Sequence, residues 1–243
     1  MRWLAILRQG NTSRRVSCIA FAVFVPTFFA PLRCPAQALQ KGVSVEEAVT
    51  RNAVDMPNAD KPGAWVVAIT ANGNTYFGIN PTDPANLTEV VERGLGKDPQ
   101  KELYIKADAR TSYVNVVKVL DAVRKAGITA PNLLTNQRET PQPGRLLLPK
   151  GLVVRVGPPL PPAAESTLVQ VINAGQAWPV LKINSKDVPW ANLESELNKL
   201  FTNRTEKAVF VKATGELPYA RVVHVIDVCP SMGARVFLAT PAL

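Results

Sequence analysis

The sequence predicts an α+β fold built from two copies of one unit, each a small mixed sheet with two helices. One observation behind this prediction is a shift of 106 positions, which gives eight identities over the 22 gapless positions from Lys106 to Gly127. The other is that both copies show the same order of strand, turn and helix signals. A repeat of this length indicates that one structural unit occurs twice in the chain.

Each copy is predicted to open with a β-hairpin. In the first copy an apolar run over residues 65–71 leads into Asn72-Gly73, a strong turn signal because both residue types tolerate positive φ, and residues 74–79 form the return strand. In the second copy residues 168–172, the turn 173–175 and residues 178–183 repeat this plan.

A helix then follows in each copy, starting near Asp83-Pro84 in the first and near Asp187 in the second. In the second copy its apolar stripe is Trp190, Leu193, Leu197, Leu200 and Phe201. The strands 102–107 and 207–213 come next, rich in β-branched residues.

A second helix in each copy carries a matched apolar face and a glycine where a left-handed C-terminal residue is expected. The face is Tyr113, Val116, Val117, Leu120 and Val123 in the first copy, and Tyr219, Val222, Val223, Ile226 and Cys229 in the second. The glycines are Gly127 and Gly233, and the last strands are 132–135 and 235–240.

Two short segments predict one extra strand at the start of each copy. Both have Lys-Gly followed by β-branched residues, at 41–45 and 150–156. Such a strand would pair within its own copy or add to the edge of a neighbour, and the sequence leaves both arrangements open.

The N-terminal residues 1–38 have the layout of an export signal. Arginines precede an apolar run from Val16 to Leu32, and Ala36-Gln37-Ala38 supplies the small residues of a cleavage site. A cleaved signal peptide is favoured over an uncleaved anchor, because the run is about 17 residues long, contains Pro26 and Pro31, and falls short of the ~20 that usually span a bilayer.

The net charge of +9 does not predict a nucleic-acid-binding protein. Five arginines lie within residues 1–38, which contain no acid, so the remainder carries 23 basic and 19 acidic residues, an ordinary surface. No stretch interleaves dense basic residues with aromatics, as a nucleic-acid platform requires.

Catalytic, metal and cofactor signatures are absent from the sequence, which predicts a non-enzymatic protein without a cofactor. The single histidine, His224, is expected on an exposed helix face, and Cys229 is expected to be a packed, inert thiol. Asp108 follows a strand and precedes a helix, as a turn or capping carboxylate does, and its counterpart is Thr214.

The segments LYIKADARTSYVNVVKVLDAVRKAGI (103–128) and VFVKATGELPYARVVHVIDVCPSMGA (209–234) resemble the periplasmic domain of the ExbD/TolR biopolymer-transport family. The resemblance covers residues 65–135 and 167–240. It implies small subunits of inner-membrane motors, with partners of the ExbB/TolQ and TonB/TolA type. This chain has two units where the family normally has one, and it has no acid from Val16 to Ala38, so a proton-coupled role does not transfer with the resemblance.

We therefore predict four regions: a signal peptide or anchor (1–38), a first ExbD/TolR-like domain (39–137), a Pro-rich linker with a short strand (138–163) and a second such domain (164–243). The predicted function is an accessory or subunit of an energy-transducing transport system in the bacterial cell envelope, acting by protein binding, and the alternative is a soluble periplasmic binding module. A homodimer and peptidoglycan are further partner hypotheses. The predicted partner-binding residues are Asp108, Tyr113, Asp121, Tyr219 and Asp227.

Overall fold

The computed structural model describes residues 43–137, 147–157 and 166–240. Elements are numbered in chain order. The first copy and the strand that closes its sheet comprise β1 (Val54–Asp55), β2 (Trp65–Ile69), β3 (Thr75–Phe77), β4 (Asn80–Pro81), α1 (Pro84–Leu95), β5 (Leu103–Ala107), α2 (Tyr113–Lys125), β6 (Asn132–Thr135) and β7 (Lys150–Val153). A short 3₁₀ turn, Pro57–Asp60, lies between β1 and β2.

The second copy comprises β8 (Arg155–Gly157), β9 (Thr167–Ile172), β10 (Val180–Ile183), β11 (Lys186–Asp187), α3 (Leu193–Phe201), β12 (Ala208–Ala213), α4 (Tyr219–Val228) and β13 (Arg235–Ala239). Two 3₁₀ turns flank its helices, Trp190–Asn192 before α3 and Cys229–Met232 after α4. Within the described residues the predicted order of elements is therefore confirmed in both copies.

Two mixed sheets organise the molecule. The first has the order β1-β7-β6-β5-β2-β3-β4 and the second the order β11-β10-β9-β12-β13-β8. In each copy a central strand, β5 or β12, runs parallel to both of its neighbours, and the hairpin pairs antiparallel. The five strands β4-β3-β2-β5-β6 thus correspond to β11-β10-β9-β12-β13, and the α+β class predicted from the sequence is correct.

Equivalent apolar residues hold the helices on one face of each sheet. Leu87 and Val91 of α1 are fully buried, as are Leu193 and Leu197 at the equivalent positions of α3. The buried apolar side chains on the helix-covered faces of the two sheets form one continuous cluster. Gly127 and Gly233 both have positive φ, +95° and +69°, as the helix ends require.

The opposite faces of the two sheets differ. Met56 and Ala59 pack over Val66, Tyr104 and Leu134, so the segment that carries β1 covers the second face of the first sheet. All five residues of β5 are buried as a result. In the second copy the strands alternate between buried and partly exposed residues, and on the partly exposed face Phe210 and Phe237 stack with ring centroids 4.8 Å apart.

The two sheets share the segment between the copies. Residues 150–153 pair antiparallel with β6 of the first copy, and residues 155–157 pair parallel with β13 of the second. The first half of this extra strand therefore adds to the edge of the neighbouring copy, and the second half pairs within its own copy. Both arrangements that the sequence left open occur. The other extra strand was wrongly predicted: Val43, Ser44 and Val45 form no strand, and only isolated bridges occur nearby, at Glu47 and Val49.

One helix start was also wrongly predicted. Asp187 lies in β11, opposite Lys182 of β10, and the helical turn begins at Trp190 after Pro189. The predicted signal or anchor, residues 1–38, lies outside the described residues. Within the described ranges no helix combines the length and the apolar character needed to cross a membrane.

Candidate functional site

The two copies meet through two loops that run antiparallel, residues 108–114 and 214–220, which we call the junction. Ser112 lies opposite Pro218 in an isolated antiparallel bridge. Four backbone hydrogen bonds flank it: Tyr113 N to Leu217 O (2.8 Å), Tyr219 N to Thr111 O (2.8 Å), Val114 N to Gly215 O (2.7 Å) and Ala220 N to Ala109 O (2.9 Å). The shift of 106 converts each bond into its reciprocal, so the junction is pseudo-twofold symmetric, as in an isologous dimer.

Tyr113 and Tyr219 lie side by side in this arrangement, as the first residues of α2 and α4. Their side chains are almost completely buried, at 1% and 0% exposure, and neither hydroxyl has a hydrogen-bond partner among the described residues. Burial raises the pKa of both phenols. The two predicted tyrosines thus occupy equivalent places in the core of the junction, and a role in binding a partner stays a prediction.

Asp108 lies at the start of the first junction loop with its carboxylate fully engaged. Arg110 donates to it from its backbone nitrogen (3.0 Å), Nε (2.9 Å) and Nη2 (2.9 Å), and the backbone nitrogen of Glu46 donates at 3.2 Å. The hydrogen bonds from Arg110 lower the pKa of Asp108 to about 2. The carboxylate therefore shapes a turn, as the sequence indicated. Its counterpart Thr214 likewise accepts a backbone hydrogen bond, from Asn173 at 3.1 Å.

Asp121 and Asp227 hold the same position on α2 and α4 but have different partners. Asp227 is 5% exposed and accepts backbone hydrogen bonds from Arg51 (2.9 Å) and Asn52 (2.8 Å). Asp121 forms ion pairs with Arg124 (2.8 Å) and Lys125 (2.9 Å). Burial would raise the pKa of Asp121, but the hydrogen bonds from Arg124 and Lys125 outweigh it and lower that pKa.

A groove of about 640 Å³ opens beside Asp121, between the β2–β3 turn, the start of α1 and the outer face of α2. Gly73, Pro84, Asn115, Lys118, Asp121 and Lys125 line it. Gly73 is required there, because its φ is +83° and a Cβ would lie 2.5 Å from Asn115 Nδ2. Sequence reasoning missed this groove, since no motif marks it.

Aromatic side chains fill the equivalent place in the second copy. Trp190 donates from Nε1 to the carbonyl oxygen of Pro179 (2.7 Å), and its ring lies 5.7 Å from that of His224 and 5.9 Å from that of Trp178. The Arg221 guanidinium lies 3.6 Å from the centroid of the Trp178 ring. His224 is exposed, as predicted, and desolvation lowers its pKa.

The described residues contain no cluster of His, Cys, Asp or Glu that could hold a metal ion. Cys229 is fully buried and donates to the Val225 carbonyl oxygen at 3.3 Å, which confirms the predicted packing of the thiol. Burial raises its pKa to about 12, which favours the unreactive protonated form.

The fold and the junction together define an α+β protein made of two copies of one unit. The copies have the same order of elements and pair with each other within the chain. The family model described as biopolymer transport protein ExbD/TolR matches the chain in two segments, residues 19–138 and 152–242. These cover most of the sequence, and the chain belongs to the ExbD/TolR family, a cell-envelope family of transport accessory proteins. A search of curated proteins finds no match.

Proposed function

We propose that this protein is an accessory or subunit of an inner-membrane energy-transducing biopolymer transport system and acts by binding other proteins. The observation that carries the proposal is the junction, which holds two units of a transport family as a fixed, reciprocal pair. Such a pair presents two different surfaces at a constant separation. We expect its partners to be ExbB/TolQ-like or TonB/TolA-like envelope proteins.

We further propose that the protein works without catalysis and without a cofactor. Support comes from how its reactive groups are used: Asp108 and Asp227 accept hydrogen bonds from the backbone, and the Cys229 thiol is packed in the core. Groups engaged in this way stabilise the fold and are not placed to exchange protons with a substrate.

Side-chain surfaces are the proposed contact sites, in preference to strand addition. In the described sheets the edge strands β1, β4 and β11 are each two residues long and β8 has three. The β4 edge carries Pro81, and the β11 edge is the charged pair Lys186–Asp187. Short, charged or proline-bearing edges are poor templates for another strand. Peptidoglycan is retained as a further ligand hypothesis.

For the domain organisation we propose the regions 39–137 and 164–243 with 138–163 between them, and attachment to the inner membrane through residues 1–38 or through a motor partner. The first family segment starts at residue 19 and so includes part of the apolar run, which supports retention of that run. The absence of any acid from Val16 to Ala38 favours the alternative, a soluble periplasmic binding module.

Fractionation with N-terminal sequencing and detergent co-purification of the full-length protein separates these proposals. For a motor accessory we expect the protein in the inner-membrane fraction together with an integral membrane protein of the ExbB/TolQ type. A mature protein that starts at Leu39, stays wholly in the soluble fraction and captures no such partner would defeat the motor proposal and leave the soluble module.

The internal pair also bears on the homodimer hypothesis. Each junction loop already has its reciprocal partner within the same chain, so we expect the purified protein to be monomeric at micromolar concentration. Light scattering coupled to size exclusion measures this directly. A stable dimer would show that a second interface exists outside the junction.

A further inference from the structure

We propose that the groove in the first copy binds a tryptophan side chain of a partner protein, in a segment where an acidic residue adjoins the tryptophan. The inference deepens the proposed function, because it names the site and the chemistry of the partner. It starts from the second copy, where the same place in the fold already holds a tryptophan of this chain.

The correspondence between the two places is close. Ala85-Asn86-Leu87 and Ala191-Asn192-Leu193 are identical tripeptides separated by 106 positions, so Pro84 stands where Trp190 stands. On the hairpin, Gly73 lies two residues before Thr75, which pairs with Ile69, and Pro179 lies two residues before Leu181, which pairs with Val171. Gly73 is therefore the counterpart of Pro179.

The second helices supply the other wall in both copies. Asn115, Lys118 and Asp121 of α2 correspond to Arg221, His224 and Asp227 of α4. The ring of Trp190 lies between Pro179, whose carbonyl accepts its N–H, and His224. In the first copy the corresponding space, between Gly73 and Lys118, belongs to the groove of about 640 Å³, since the short Pro84 ring replaces the indole.

The groove has the chemistry that an indole needs. Gly73 lines the groove, and as the counterpart of Pro179 it is the residue whose backbone carbonyl would accept the N–H of an inserted indole, as Pro179 accepts that of Trp190 in the second copy. Lys118 takes the place of His224, is exposed, and has no carboxylate partner among the described residues, so its ammonium can lie over the face of an inserted ring. A volume of this size is in the range of typical ligand sites.

Charge indicates what adjoins the tryptophan in the partner. Asp121 is already shared between Arg124 and Lys125, which leaves a positive balance around that carboxylate. Asp83 caps α1 by accepting a hydrogen bond from Ala85. With Asp83 and Asp121 negative and Lys118, Lys125 and the adjoining Arg124 positive, two negative and three positive groups give a net charge of +1, which favours an acidic neighbour of the tryptophan.

The test is a fluorescence anisotropy titration of the purified full-length protein against three fluorescein-labelled tetrapeptides: Gly-Trp-Glu-Gly, Gly-Ala-Glu-Gly and Gly-Trp-Lys-Gly. We expect Gly-Trp-Glu-Gly to bind saturably. Replacement of its tryptophan by alanine should weaken the affinity at least about tenfold, because a buried indole anchor dominates such contacts. Replacement of its glutamate by lysine should weaken the affinity roughly three- to fivefold.

Two variants locate the binding. Pro84→Trp is expected to fill the groove from within, as Trp190 does in the second copy, and to weaken the tryptophan–glutamate peptide by at least about tenfold. Lys118→Glu lies at an exposed position, so it should leave the fold intact and reverse the preference between the glutamate and lysine peptides. The circular dichroism spectrum and thermal midpoint of Lys118→Glu should match those of the parent. This variant therefore tests the site even if Pro84→Trp fails to fold.

Equal affinity for the tryptophan and alanine peptides, or an unchanged preference in Lys118→Glu, would overturn the inference. Self-association of the protein that Pro84→Trp abolishes would assign the groove to a second copy of this chain and overturn the partner assignment. Because the titration contains no membrane protein, its failure leaves the co-purification test of the transport role untouched, and the reverse also holds.

Discussion

The same lysine occurs at the same place in the two sheets and has opposite surroundings. Lys106 in β5 is 4% exposed beneath the segment that carries β1, and burial lowers its pKa, although Glu47 and Asp60 oppose the shift. Its counterpart Lys212 in β12 is exposed to solvent. The two copies therefore have the same arrangement of strands and helices, and they differ in the segment that covers the second face of the sheet.

The N-terminal segment is the cause of that asymmetry, because it serves both copies. Met56 and Ala59 cover the first sheet, while the backbone at Arg51 and Asn52 binds Asp227 on the second copy. Among the residues that the structure describes, no equivalent contact is made to Asp121, which pairs with neighbours on its own helix. Matched substitutions in the two copies should therefore have unequal effects.

The largest expected difference is between Asp227→Ala and Asp121→Ala. Asp227 is buried, and its removal leaves the partly buried N–H groups of residues 51 and 52 without their charged acceptor, so we expect a loss of about 1–3 kcal/mol in the free energy of unfolding. The Asp121 ion pairs are partly exposed, and their removal should cost about 0.5 kcal/mol. Urea denaturation of both variants measures the difference. Equal losses would mean that the segment does not clamp the second copy.

A second pair of variants compares β7 and β8, the two strands of the segment that the sheets share. A Cβ on Gly151 in β7 would lie 2.8 Å from the Leu133 carbonyl oxygen and 3.0 Å from Met56 Cγ, whereas one on Gly157 in β8 would have its nearest neighbour at 3.9 Å. We expect Gly151→Ala to destabilise the fold by about 1–3 kcal/mol and Gly157→Ala to be nearly neutral. Thermal unfolding of the two proteins provides the measurement, and a neutral Gly151→Ala would contradict the tight packing under β7.

The third prediction concerns the pH dependence that Asp108 brings to the first copy, since its counterpart in the second copy, Thr214, carries no charge. The pKa of Asp108 is lowered from 3.8 to about 2, so its contribution to stability is present above about pH 4 and is lost as the pH falls toward 2. In Asp108→Asn that contribution is absent at every pH. The difference in unfolding free energy between parent and variant should thus shrink by about 1–2 kcal/mol between pH 6 and pH 2. Parallel pH profiles would sink the prediction.

The smallest expected effect concerns the junction, where the two copies are most alike. Since neither the Tyr113 nor the Tyr219 hydroxyl has a partner among the described residues, Tyr113→Phe and Tyr219→Phe should each be neutral or stabilising by up to about 1 kcal/mol. The two shifts should also agree with each other. A large loss in only one variant, measured by denaturant titration, would break the symmetry of the junction.

Most of the frame could be predicted from the sequence, because periodic burial and turn residues leave local signals. The strand 132–135, a helix with Tyr113 on its buried face and the left-handed residue at Gly127 all lie where the pattern places them. Because the order of elements repeats at a spacing of 106, each element assigned in one copy could be compared with its equivalent in the other.

The covering segment and the shared strand could not be predicted, and the reason is physical. A two-residue strand such as β1 has no period, and nothing local distinguishes Met56 as a residue that packs on a distant sheet. Asp187 fits a helix start by its spacing to Pro189, but the β10–β11 pairing prevails. The groove exists because the Pro84 ring is smaller than the indole of its counterpart Trp190, and no sequence motif marks the absence of a large side chain.

The covalent link between the copies has a consequence for how such a protein can change over time. In an assembly of two identical chains, any substitution appears on both sides of the symmetry axis at once. Here the link keeps each half at a high effective concentration for the other, while each half mutates independently. One copy can then fill its groove with its own indole while the other leaves the groove open, which two identical subunits cannot do.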